Sequence, residues 1–371
     1  MTPGGARPGS SSPTAVSTPK KSPTPVLASN RSVINYRGWK GALELTNPDT
    51  RVVIVPSVGA RVVVFSYKGK NVLLEDPKLN GSVLKKDAAT MPFDGSQPDT
   101  LMPGGGGQLK DLWMGSYQIV DASKLRAVVR SKVNEDAGLQ EEREFRLDPK
   151  RPELTIRRRF TNASKKAVHG AFWERTLTPA GAVGFAPANP QSAFGPAGWA
   201  VSKDGKYSAG AATSANPSVK DGTLVVHTVG QGEGAYLDAV RGWMAARVGG
   251  LLFAVYFPVI PKMEYPWGQG LDEGFYYADD RLEIDSASPS IPIAPHRQVD
   301  WTVQWKILPF GDAAADDAHL STMARKLAEQ AMPVTAPVAA SARVGRKKGG
   351  PFPSIISKPA AQRPAARPAR A

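Results

Sequence analysis

The sequence predicts an all-β protein, a large antiparallel β-sandwich over residues 33–332 that ends in a C-terminal helix and is flanked by disordered tails. Three observations carry this reading. β-branched and alternating apolar runs fill the middle of the chain, Gly- and Asp-containing turns separate them, and helical periodicity is confined to one segment. A length of 371 residues is compatible with one long all-β unit, so boundaries are drawn from changes of composition.

Residues 1–32 repeat Pro, Ser, Thr and Gly with no acidic residue, and such a segment buries too little apolar surface to offset its chain entropy. The first strands are expected at Val52–Val55 and Arg61–Tyr67, on either side of the turn Pro56-Ser57-Val58-Gly59-Ala60. Further strands are expected at Gly115–Asp121, Leu125–Lys132, Glu141–Arg146, Ala167–Leu177, Thr223–Thr228, Gly242–Arg247, Leu251–Phe257 and Arg281–Ser286. Two alternations stand out. Leu154, Ile156, Arg158 and Phe160 alternate with Thr155, Arg157 and Arg159, which gives a strand with a basic face, and Val299 to Ile307 alternates over nine residues around Trp301 and Trp305. The segment Asp312–Gln330, rich in Ala with Leu320, Met323 and Leu327, reads as a helix of about 312–330 stopped by Pro333. Residues 333–371 return to Ala, Pro, Arg and Lys and are expected to be disordered.

The formal charge of +14 suggests a polyanion partner until its placement is considered. The two tails carry twelve basic and no acidic residues, which leaves +2 for residues 33–332. The central part is nearly neutral. Its tails are expected either to bind an anionic polymer through salt-sensitive contacts or merely to solubilise the chain. The absence of cysteine excludes disulfides, thiolate metal sites and a cysteine nucleophile. No apolar run approaches the roughly 20 residues of a membrane span, so the chain is expected to be soluble. A Pro/Ser-rich opening also resembles the linker after a removed signal, which leaves cytoplasmic and exported placements both open.

Three stretches in order resemble the galactose-mutarotase-like (aldose-epimerase-like) superfamily. Trp39–Asn47 followed by Ile54–Val62 is similar to its opening strands with a "P-x-x-G-(G/A)-R" turn. Thr161–Ser164 leading to Ala171–Thr176 is similar to its "N-x-S…W-x-x-T" strand. Arg281–Ile284, continuing through Pro289 and Pro295 to Trp301 and Trp305, is similar to its "L-E-x…P…x-W" ending. The resemblance implies a sugar-binding concave face and no cofactor. It places Trp113 in a "G-G-x-x-W" segment facing the sugar, behind the loop Gly104–Leu112, and Glu283 as the general base at the anomeric hydroxyl. It also places Trp173 where the epimerases carry an acid histidine, a departure from their pattern.

The residues themselves offer other candidates. Sugars need flat apolar surface and fixed polar groups, which Trp173, Trp267 and the loop Tyr265–Gly270 would supply. Arg175 and Arg158 are candidates for contact with an acidic sugar. His169 shares the face of residues 171, 173 and 175 but lies roughly 13 Å from Trp173 along a strand, too far to replace the missing acid. Asp272 and Glu273 are alternative acid/base candidates, set against the reading of an exposed, solvated loop pair. Glu283 reads equally as a catalytic base and as a solvent-facing partner of one of the many arginines. The four scattered histidines have no ligand spacing, so no metal site is expected. Three functions follow: a carbohydrate-active enzyme of aldose 1-epimerase type, a non-catalytic sugar-binding module, or a scaffold whose basic tails bind an anionic polymer.

Overall fold

Strands run from Val33 to Pro309 and fall into three antiparallel sheets in a computed structural model that describes residues 32–85, 88, 91–102, 109–203, 206–310 and 317–330. The N-terminal tail before Ser32, the C-terminal tail after Gln330 and the glycine run 104–107 lie outside the described residues. Among the described residues no helix is long and apolar enough to cross a membrane.

The first sheet is a five-stranded meander from Val33–Tyr36 to Lys70–Asn71. Its turn at Pro56–Ala60 explains the sequence motif found there. Gly59 has φ +62° and its amide donates to the Gly115 carbonyl at 2.7 Å, while a Cβ at this position would stand 1.8 Å from the Trp113 carbonyl oxygen. Only glycine combines that conformation with that approach. Gly59→Ala is therefore expected to cost at least about 1 kcal/mol, read as a lower midpoint in urea.

The other two sheets form the sandwich. The ten-stranded sheet is centred on Gln298–Pro309 and Glu153–Asn162, paired in register from Glu153↔Lys306 to Thr161↔Gln298. Period-two alternation puts Leu154, Ile156, Arg158 and Phe160 inward and leaves Thr155, Arg157 and Arg159 half-buried on the outside. In the eight-stranded sheet Arg281–Ala287 lies between Glu273–Ala278 and the long strand Val168–Pro179, which pairs on its other side with Ser96–Leu101. The rings of Phe160 and Phe172 stack at 4.0 Å across the interface, with Phe172 6.5 Å from Trp301. Trp301 and Trp305 are core residues, as the sequence suggests.

The C-terminal helix Asp317–Glu329 packs Leu320, Met323, Ala324 and Leu327 on the outer face of the ten-stranded sheet against Phe185, Trp243, Leu252 and Tyr256. The rest of that outer face carries a lattice of ion pairs in which Arg126, Arg146 and Arg157 all meet Glu144, and Arg159 meets Asp300.

Between the two large sheets lies a second, wholly buried charge cluster. Arg158 donates to Glu141 at 2.5 Å and to Glu174 at 2.9 Å, Arg143 donates to Glu141 at 2.8 and 2.9 Å, and the Tyr117 hydroxyl completes the shell of Glu141 at 2.9 Å. Burial alone would push the Glu141 carboxyl up, but the two guanidiniums outweigh it and hold it at about 2. Arg158, expected as a candidate for an acidic sugar, is a structural group here. It is fully buried, and no part of its head reaches solvent.

Candidate functional site

The strand Val168–Pro179 decides which side chains meet. Its even residues, Phe172, Glu174 and Thr176, face the ten-stranded sheet, so Trp173 and Arg175 face away from it. Antiparallel register then assembles their neighbours on that outer face. Arg175 stands opposite Asp285 on one side and Gln97 on the other, Trp173 stands opposite Asp99, and Glu283 lies two residues before Asp285 with Tyr276 opposite it. Gly274, opposite both Asp285 and Tyr236, leaves room for the Tyr236 ring, which a Cβ would approach to 2.6 Å.

Arg175 is the hub. Its Nε donates to Glu283 Oε1 at 2.7 Å, and its Nη1 lies 3.8 Å from Asp99 Oδ2. The guanidinium carbon sits 4.6 Å from the Trp173 ring centroid and 4.8 Å from that of Phe93, within cation–π range of both. Trp173 in turn donates from Nε1 to Asp285 Oδ1 at 3.2 Å. From Trp173 a chain of edge-to-face rings runs outward, Trp173–Trp267 at 6.0 Å, Trp267–Tyr236 at 5.7 Å and Tyr236–Tyr207 at 5.1 Å. All four rings are half-buried, so each keeps some surface accessible.

Three carboxyls thus surround one guanidinium. Burial raises Asp285 well above the usual carboxyl range and the neighbouring Glu283 charge adds to this, while Arg175 pulls the other way. Asp99, fully buried, is pushed up to about 7 by burial despite the opposing pull of Arg175 and, from behind, of Arg158 and Arg143. Already paired with Glu283 and flanked by Asp99, Arg175 is poorly placed to form a further ion pair with an acidic sugar. With 15% of its side chain exposed, Arg175 can still donate to a neutral oxygen.

Four of the five residues singled out from sequence, Trp173, Arg175, Trp267 and Glu283, therefore lie together. Trp113 does not present its ring alongside them. It ends a one-turn helix, Lys110–Trp113, is 3% exposed, and touches this region through its carbonyl, which accepts from Gln97 Nε2 at 3.0 Å. His169 is exposed in a separate groove of about 560 Å³ with Glu135, Asp136, Ser164 and Lys166. Asp272 and Glu273 are not a solvated loop pair: they are 1% and 0% exposed, and Glu273 opens a strand. Asp285 and Asp99 escaped the sequence reading. The first had a signal, since it shares a face with Glu283 by the period of two; the second sits in the polar run Ser96–Leu101, which has no apolar alternation.

No protein-family model matches the chain, and no curated protein matches it. Solved structures do match. A protein from Synechocystis sp. PCC 6803 superposes with a TM-score of 0.54 at 12% identity, over 76% of this chain and 100% of its own. A candidate aldose 1-epimerase from Escherichia coli K12 gives 0.51 at 10% identity, over 72% and 99%. A galactose mutarotase-like protein from Lactobacillus casei gives 0.50 at 9% identity, over 72% and 100%. Antiparallel sheets packed face to face define the class as a large antiparallel β-sandwich. More particularly, the chain has the galactose mutarotase-like fold.

Proposed function

We propose that the outer face of the eight-stranded sheet binds a sugar at Trp173, Arg175, Trp267 and Glu283, and that Glu283 serves there as a general base in aldose epimerase-type ring opening. The observation that carries this reading is the adjacent carboxyl pair, with Glu283 held by Arg175 at 2.7 Å and Asp285 held by Trp173 at 3.2 Å. Ring opening needs one group to take a proton and another to give one. The histidine that supplies the proton in the resembling epimerases is replaced by Trp173, whose indole N–H instead engages Asp285, a carboxyl that burial favours in its protonated form.

The anomeric hydroxyl and the ring oxygen are both bonded to C1, so two carboxyls on one strand can address them when that edge of the sugar faces the strand. Glu283 then takes the hydroxyl proton as the C1–O1 bond becomes a carbonyl. Asp285 gives its proton to the ring oxygen as the C1–O5 bond breaks. Closure onto the other face of C1 reverses both transfers and yields the other anomer.

The test is anomer interconversion of glucose and galactose, followed by NMR or polarimetry. The intact chain is expected to accelerate it, and Glu283→Gln to return it to the uncatalysed rate while sugar binding persists. Turnover that survives this substitution would remove Glu283 from the role. Sugar binding without turnover in the intact chain would select the second reading, a non-catalytic module using the exposed parts of Trp173 and Trp267 as platforms, which the missing histidine favours.

A further inference from the structure

Charge and ring placement on this face point to a narrower class of sugar. Asp99, Glu283 and Asp285 lie on one surface, and among the described residues Arg175 is the one basic side chain in ion-pair contact with them. Asp99 is 0% exposed and its Oδ2 has no hydrogen-bond partner among the described residues, its nearest cation standing 3.8 Å away. A buried carboxylate oxygen left in that state costs free energy that a donor cation would recover. Beside these acids the rings of Trp173, Trp267, Tyr236 and Tyr207 stand edge-to-face to one another, and aromatic faces attract cations.

We propose that the preferred ligand of this site is a carbohydrate bearing a primary ammonium group, such as a hexosamine, whose cation enters between Asp99, Asp285 and the aromatic rings. This rests on the sugar-binding reading given above. The sugar body then uses Trp267 and the free edge of Arg175, and the ammonium supplies the donor that Asp99 Oδ2 lacks. Acidic sugars bring no donor cation to that oxygen and are not expected to share the preference. N-acetylation, which removes the charge, removes the preference.

One consequence is independent of affinity. Burial pushes the Asp99 carboxyl up to about 7 in the empty site, and an ammonium beside it favours the ionised form, so binding releases protons. The measured enthalpy must then vary with the ionisation enthalpy of the buffer.

The experiment is calorimetric titration of the full chain with glucosamine, galactosamine, glucose, galactose, N-acetylglucosamine, glucuronate and choline at neutral pH. The amino sugars are expected to bind about tenfold or more tightly than their parent hexoses, with proton release. Asp99→Asn and Asp285→Asn are expected to bring the two groups to parity. Because Asp99 is buried, the exposed-edge variant Trp267→Ala provides a second check: it is expected to weaken amino and neutral sugars alike. Equal binding of amino sugars and parent hexoses by the intact chain would overturn the ammonium preference and leave the sugar-binding reading standing. Binding of choline as tightly as glucosamine would overturn it as well, since the cation alone would then be recognised. Failure of every sugar to bind would remove the sugar-binding reading and this inference with it.

Discussion

Replacing Arg158 with Met is expected to lower the stability of the protein by about 3–5 kcal/mol, because one partner of a buried ionic cluster is removed while its carboxylates stay buried. Arg158 touches Glu141 at 2.5 Å and Glu174 at 2.9 Å, and both glutamates are as buried as it is. Arg143 still holds Glu141 in the variant, but Glu174 loses its ion-pair partner. Two carbonyls also lose a donor, Trp173 at 3.0 Å and Asp99 at 2.6 Å. Those carbonyls belong to residues whose side chains lie on the other side of the eight-stranded sheet, next to Arg175. Arg158 thus clamps from inside the two strands that carry Trp173 and Asp99, and the variant is expected to lose any affinity of the proposed sugar site as well as stability. Arg157, one residue away on the outer face, gives the contrast. Its pairs with Glu144 and Asp300 are partly exposed, and Arg157→Ala should change stability by less than about 1 kcal/mol. Urea unfolding of the two variants side by side checks the argument. A cost below about 1 kcal/mol for Arg158→Met would mean that the cluster is relieved by proton uptake or water.

The same strand shows what a single sequence exposes and what it hides. Alternation across 153–162 identifies a half-buried strand, and its inward positions are buried as predicted. Alternation does not say what lies opposite. Arg158 occupies an inward position, and only the approach of Glu141 and Glu174 from two other strands makes that burial tolerable. Charged type suggested surface, whereas parity indicated core, and parity prevailed. Glu273 followed the same logic. Surrounded by Gly268, Gly270 and Gly274 it reads as loop, yet it shares parity with the core residues Phe275 and Tyr277. Of the site residues, those on strands with strong periodicity, Trp173, Arg175 and Glu283, were legible. Asp99 was hidden because Ser96–Leu101 has no apolar alternation and is held as a strand by pairing with Ala171–Thr176, a long-range contact that local sequence does not encode. Trp113 was legible as an aromatic near the site, but the one-turn helix that turns its ring inward was not.

Glu273 supports a second large effect, of opposite sign. Replacing it with Met is expected to stabilise the protein by about 1–4 kcal/mol at neutral pH. Both of its carboxyl oxygens are buried without a hydrogen-bond partner among the described residues, and Ser286, directly across the strand pair, has an equally unpartnered hydroxyl. Neighbouring Asp272 is better served, accepting from the Ala239 amide at 2.8 Å. Burial first, then the charges of Asp272 and Asp238, raise the Glu273 carboxyl well above its ordinary range. A carboxyl raised in the folded state binds its proton more tightly there than in the unfolded chain. Its contribution is therefore intact below the ordinary carboxyl range and is lost as pH climbs towards the raised value. The protein should accordingly lose stability as pH climbs from the ordinary carboxyl range towards the raised value, and Glu273→Met should flatten that fall while leaving behaviour below the ordinary carboxyl range nearly unchanged. Unfolding midpoints measured across pH for the two chains decide the matter: parallel curves would mean that Glu273 is already satisfied by water. A natural chain that retains so costly a group has kept stability in reserve. The face proposed to bind sugar lies on the opposite side of the same strand, at Gly274 and Tyr276, so Glu273→Met is also expected to leave any sugar affinity unchanged.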